Sequence, residues 1–125
     1  MKLLLDTHIL LWWLEDNKKL SKKCRSLIET PDNLVFVSAA SVWEVGVKKA
    51  LGKIECPDNL VEEITASGFE ELPLKFLHAD KVEQLPLLHK DPFDRMLIAQ
   101  AITESMVLVS NDQQIVKYDQ VKVIN

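Results

Sequence analysis

Cysteine is scarce in this chain of 125 residues. There are two, Cys24 and Cys56, and they form neither a metal-ligand spacing nor a redox motif. A disulfide framework or a structural metal is therefore not expected, and a reducing compartment is. Long apolar runs are also missing. A bilayer span needs roughly 20 apolar residues, and the opening run "MKLLLDTHILLWWL" is broken by Asp6 and His8. It has no basic start and no cleavage site, so no secretory signal or membrane anchor is expected and the location is expected to be cytoplasmic. A surplus of positive charge is lacking too. The net charge is −4 and the pI about 5.3, which argues against a nucleic-acid coat protein. It leaves room for an enzyme that reaches phosphate through metal ions. Repeats, low-complexity tracts and linkers are absent, so residues 1–125 read as one domain.

What is present alternates short apolar runs with helical periods. "KLLLD" reads as a buried strand and "THILLWWLED" as a short helix behind it. "SKKCRSLIET" is an amphipathic helix capped by Ser21. "LVFV" is a second strand, followed by a helix from near Ser38 to near Gly52, where glycine suits the position after the cap. "DNLVEEITAS" and "KFLHADKVEQL" read as helices around a short strand in "FEELPL". "DPFDRMLIAQAITES" starts with an aspartate cap and a proline at the first helical position. "MVLVS" and "VKVI" are strands, with a helical turn in "NDQQIVKY" between them. This order predicts an α/β sandwich with a mostly parallel sheet of about five strands. Ligands in such sheets bind beyond the carboxyl ends of the strands.

Carboxylates stand at those ends. Asp6 follows the first strand and Asp112 the "MVLVS" strand. Asp94 lies in the first turn of its helix, and Glu44 one to two turns into the helix after the second strand. Each has a plain structural explanation. Asp6, Asp91 and Asp112 can cap the elements that follow, Asp94 can favour the positive helix end, and Glu44 can pair with Lys48 at i,i+4. Ala39, Val42, Trp43, Gly46, Val47 and Ala50 form an apolar stripe that is expected to face the core. At about 100° per residue, Glu44 falls on its margin. Together the acids say more. Carboxylates converging on one cleft raise each other's pKa unless a cation neutralises them. An all-oxygen set suits Mg²⁺ or Mn²⁺. An aspartate inside the greasy opening run is then explained as a metal ligand on a rigid strand.

"LLLDTHILLWWL", "SAASVWEVGVKKALGKI", "HKDPFDRMLIAQA" and "LVSND", in this order and spacing, resemble PIN-domain ribonucleases. More narrowly they resemble VapC-type toxins of bacterial toxin–antitoxin pairs, over the whole chain. The resemblance implies a Rossmann-like α/β/α sandwich and a metal-dependent endoribonuclease with Asp6, Glu44, Asp94 and Asp112 as catalytic, metal-binding acids. Thr7, Ser41, Asp91 and Asn111 match supporting positions. It also implies an RNA substrate, a VapB-like antitoxin that lays a segment across the cleft, a homodimer, and products with a 3′-hydroxyl and a 5′-phosphate.

Around this core, Arg95 is placed to brace the carboxylates. Lys48, Lys49 and Lys53 can contact RNA phosphates, as can the segment Lys18, Lys19, Lys22, Lys23 and Arg25. Trp12 and Trp13, inside an apolar run, are read as packing rather than base-stacking groups. His8, His78 and His89 show no paired spacing for a metal. A phosphoacceptor receiver domain is the main rival. It needs an acidic pair after the first strand and a lysine after a late one, and this chain has neither. An aspartyl phosphatase needs D-x-D, where this chain has His8. An inactive partner-binding module of the same fold is the remaining alternative.

Overall fold

The computed structural model describes residues 1–125. Five strands, β1 (Lys2–Leu5), β2 (Leu34–Ser38), β3 (Glu70–Leu72), β4 (Val107–Val109) and β5 (Val123–Ile124), form one sheet in the order β3-β2-β1-β4-β5. Every pairing is parallel, not merely most of them. Six helices connect the strands: α1 (Thr7–Leu14), α2 (Lys22–Glu29), α3 (Ala39–Ala50), α4 (Leu60–Ala66), α5 (Phe76–Gln84) and α6 (Pro92–Thr103). The helical turn foreseen in "NDQQIVKY" is a single 3₁₀ turn, Ile115–Lys117.

The "LLL" run explains the layering. Successive strand residues point to opposite faces, and both faces of a parallel sheet are covered. Leu3 and Leu5 pack with Ile9, Leu10, Cys24 and Ile64 from α1, α2 and α4. Leu4 packs on the other side with Leu97, Ile98 and Ala101 of α6. The chain moves outward from β1 through β2 to β3, then returns to lay β4 on the opposite edge of β1. That reversal makes the carboxyl ends of β1 and β4 the switch point of the sheet, where ligands of such folds bind.

The termini of α2, α3 and α6 form as their sequences suggest. Ser21 accepts the Cys24 N–H at 3.0 Å. Asp91 accepts from Phe93 and Asp94 at 2.8 and 3.0 Å. Gly52, at φ +70°, ends α3 with two bonds, Gly52 N–H to the Lys49 carbonyl and Lys53 N–H to that of Lys48.

The rotation of α3 departs from the pattern. Its buried residues are Ala40, Ser41, Glu44 and Val45. Trp43 is 60% exposed, and Gly46, Val47 and Ala50 also face outward. The expected core stripe is therefore largely surface. The reason is local. Small side chains at Ala40 and Ser41 let α3 sit close to its neighbours, and Glu44 can be buried because other chain groups satisfy it.

A buried polar cluster ties α3 to α6. The Ser38 hydroxyl caps α3 at Ala40 N–H and donates to Gln100 Oε1 at 2.5 Å. Gln100 Nε2 reaches the Pro73 carbonyl and His78 Nδ1, each at 3.3 Å. Gln100→Leu leaves the Ser38 hydroxyl proton and the Pro73 carbonyl without partners. It is expected to cost about 2 kcal/mol, read as a lower urea midpoint at unchanged slope.

Candidate active site

Asp6 is where the strand hands over to α1. Its N–H donates to the Val109 carbonyl at 3.0 Å, which stitches it to β4. Its Oδ1 accepts the Ile9 N–H at 2.8 Å, capping α1. The cap reading and the site reading thus hold together. Only 3% of Asp6 is exposed. Burial pushes its pKa up to about 6, against the hydrogen bonds of Ser110 and Ile9 and the charge of His8; Asp112 pushes the same way as burial.

Glu44 is equally buried, not marginal as the helical stripe suggests. Thr7 donates to its Oε1 at 2.6 Å, and Ser41 Oγ lies 3.1 Å from the Thr7 hydroxyl. Lys48, one turn on, pairs with its Oε2. Burial draws the Lys48 pKa down. The hydrogen bond and charge of Glu44, with Asp91 and Asp94 behind it, outweigh that and leave it raised.

Asp94 occupies the third position of α6. Burial and then the charges of Asp91, Glu44 and Asp6 push its pKa up to about 7, with His89 opposing. Asp112 accepts the Gln114 N–H at 2.7 Å, as a cap of the following turn. Its own N–H donates to Ser110 Oγ at 3.1 Å. The charge of Asp112 thus reaches Asp6, and those of Glu44 and Asp6 reach Asp94.

Two residues were missed by sequence reasoning. His89 Nε2 lies 2.9 Å from Asp94 Oδ2 and 3.4 Å from Asp112 Oδ2. The ligating atoms of the three residues fall within 4.8 Å of one another. A search for paired histidines cannot find it, because its partners are carboxylates. The available signal was its place five residues before Asp94, ahead of a capped helix. Ser110, fully buried at the end of β4, is the other. Its strand-end position was the clue.

Other expectations need correction. Arg95 does not brace the acids. It follows Asp94 by one residue, so its side chain leaves the helix about 100° away. It donates to the carbonyls of Val82 and Pro86, both at 3.0 Å, closing the carboxyl end of α5 and the loop beyond. Asn111 is exposed and its side chain makes no hydrogen bond with the site. Of the three lysines on and after α3, only Lys48 reaches the acids. Lys49 turns to Asp58 at 2.6 Å, and Lys53 lies exposed beyond Gly52. Lys18, Lys19, Lys22 and Lys23 are exposed, and Arg25 pairs with Asp16 at 2.9 Å.

Trp12 and Trp13 pack against the core as expected. His8 is exposed and stacks on Trp12 with ring centres 6.1 Å apart. His78 is wholly buried in the Gln100 cluster. No helix is long and apolar enough to cross a membrane.

No curated protein matches the chain in sequence. Solved structures match it in fold. VapBC2 from Rickettsia felis, bound to a DNA fragment from its promoter, has a TM-score of 0.74 at 16% identity, covering 100% of this chain and 98% of that one. DNA-bound VapBC from Salmonella typhimurium gives 0.69 at 15%, over 99% and 97%. FitAcB from Neisseria gonorrhoeae gives 0.66 at 20%, over 98% and 96%. The family profile of the PIN domain spans residues 3–121, and with that match, on a parallel sheet whose switch point gathers four acids, the chain belongs to the PIN domain family.

Proposed function

We propose that this chain is a divalent-metal-dependent endoribonuclease and the VapC-type toxin of a toxin–antitoxin pair, arresting translation by cutting RNA. One observation carries the reading. Four carboxylates stand around the switch point of the sheet, and burial, then the charges of Asp91, Glu44 and Asp6, push the Asp94 pKa up to about 7. A divalent cation would relieve both the burial and the mutual charge of such a set.

The donor set fits such a cation. Asp6 offers a buried carboxylate on a rigid strand end, and Asp94 Oδ1 has no hydrogen-bond partner in the protein. Asp6 and Asp94 would hold the metal, with Glu44 and Asp112 completing the acidic ring. Oxygen donors of this kind favour Mg²⁺ or Mn²⁺. When bound, the ion lowers the pKa of water and offsets charge on the phosphoryl oxygens.

The chain's own groups do the rest. Thr7, with Ser41 beside it, fixes the rotamer of Glu44. Asp91 keeps Asp94 at the start of α6 through its two capping bonds. Lys48 neutralises Glu44 at the cleft edge and is the lysine placed to meet an RNA phosphate. Hydrolysis adds water across the phosphodiester, breaking the bond to the 3′ oxygen and leaving a 3′-hydroxyl and a 5′-phosphate.

The VapBC complexes among the structural neighbours support an antitoxin partner. An arginine from that partner would pair with the carboxylates and close the cleft. A homodimer is supported by Phe76, 96% exposed at the start of α5 beside exposed Leu77.

The test is direct. Purified chain, free of antitoxin, is incubated with structured and single-stranded RNAs in Mg²⁺, Mn²⁺ or chelator. Cutting with metal and none with chelator, leaving 5′-phosphate ends, is the expected result. Absence of cutting in either metal, with no heat of metal binding, overturns the reading and leaves a partner-binding module.

A further inference from the structure

His89 invites an obvious assignment, that of a nitrogen ligand beside Asp94 and Asp112. Its hydrogen bonds argue otherwise. Nδ1 accepts the backbone N–H of Asp91 at 3.3 Å. A neutral imidazole with an accepting Nδ1 carries its proton on Nε2. That Nε2–H points at Asp94 Oδ2, 2.9 Å away, with Asp112 Oδ2 at 3.4 Å. A ligand needs a free lone pair. At Nε2 this would require moving the proton to Nδ1, where it would meet the Asp91 N–H head on.

The ring is also held in place. The Tyr118 hydroxyl accepts the N–H groups of His89 and Leu88, at 2.9 and 3.2 Å, and donates to the Pro86 carbonyl at 2.8 Å. Arg95 grips the same carbonyl and lies 3.2 Å from the same hydroxyl. This bracing is the role Arg95 and Tyr118 have in the site: they fix the loop that presents His89.

We propose that His89 is a positioning residue of the metal centre: its Nε2–H donates to Asp94, fixes the orientation of that carboxylate beside Asp112, and does not bind the cation. The inference rests on the nuclease reading, since it concerns how the acids are set for a metal. It has a physical consequence. With Oδ2 of Asp94 held by His89, Oδ1 is the oxygen left for the ion. Outer groups that orient metal ligands typically matter about 10-fold or more for metal affinity.

Two measurements decide it. Long-range ¹H–¹⁵N spectra of the imidazole at pH 8, with and without Mg²⁺, report the tautomer of His89. The Nε2–H form is expected in both. Calorimetry with Mg²⁺ and with Mn²⁺ then compares the native protein, His89→Gln and His89→Ala. Glutamine keeps an N–H donor at the same reach, so its affinity is expected to stay near native. Alanine is expected to bind about 10-fold more weakly.

A shift of the proton to Nδ1 on adding Mg²⁺ makes His89 a ligand and overturns the proposal. So does native affinity in His89→Ala. Either result leaves the nuclease reading standing. A native protein that takes up neither ion overturns both. If His89→Ala does not fold, the spectra of the native protein and the glutamine variant still decide.

Discussion

Asp6→Asn is expected to lose RNA cleavage and gain stability at the same time. Asparagine is nearly the same shape and is itself a good cap, so its side-chain oxygen can still accept the Ile9 N–H and its amide can face Ser110. What disappears is the charge. Losing one carboxylate from the metal centre removes several kcal/mol of transition-state stabilisation, on the order of a 10³-fold fall in kcat/KM. Removing a buried anion helps the fold. Asp6 titrates at about 6 against an ordinary 3.8, so ionising it in the metal-free protein costs on the order of 3 kcal/mol. Asp6→Asn should therefore raise the metal-free Tm at pH 8 by roughly 5 °C or more. The difference should vanish at pH 4, where the native carboxyl is largely protonated. Cleavage assays and thermal melts on one preparation check both halves. An inactive variant that melts below the native protein would mean that Asp6 serves the fold and not a metal.

The second large effect is the pH dependence of stability in chelator. A carboxyl whose pKa is raised by folding holds its proton longer in the native state than in the unfolded one. The native state then binds more protons between the two pKa values, and stability falls as pH rises through that window. For Asp6 the window runs from 3.8 to about 6, and for Asp94 from 3.8 to about 7. Metal-free protein should thus lose stability steadily from about pH 4 to about pH 7, and little beyond. Mg²⁺ or Mn²⁺ binds only the ionised acids, so saturating metal should flatten or reverse the slope, with proton release on binding. Urea unfolding at a series of pH values, with chelator and with metal, reads this. A metal-free midpoint that rises from pH 4 to pH 7 would show that folding does not raise the pKa of these carboxyls.

The acids themselves were legible because each sits next to a strong local signal. Asp6 ends an apolar strand, Asp112 follows another, and Asp94 lies three residues after a cap and two after a proline. Glu44 was legible as an acid of interest, but its burial was not. Periodicity ranks helix faces by hydropathy, and here the inner face of α3 is a mixed one of Ala40, Ser41, Glu44 and Val45. Thr7, far off in sequence, and Lys48, one turn on, supply the hydrogen bonds that make burial of Glu44 tolerable. Arg95 shows the same limit. Its neighbour Asp94 suggested a shared task, while helix geometry sends the two side chains to different targets.

By itself, the sequence determined the order of strands and helices, the caps at Ser21, Asp91 and Gly52, the small-residue and acidic positions of the PIN domain, and the residue types available for metal. These follow from local rules: alternation on strands, capping chemistry and the cost of a carboxylate in an apolar run. Tertiary structure alone decided which face of α3 is buried, that Lys48 and not Lys49 or Lys53 meets the acids, and that His89 meets Asp94 with Asp112 close by. Those outcomes depend on how helices rotate and approach across the switch point, where long-range hydrogen bonds and charge pairs outweigh the hydropathy of any one segment.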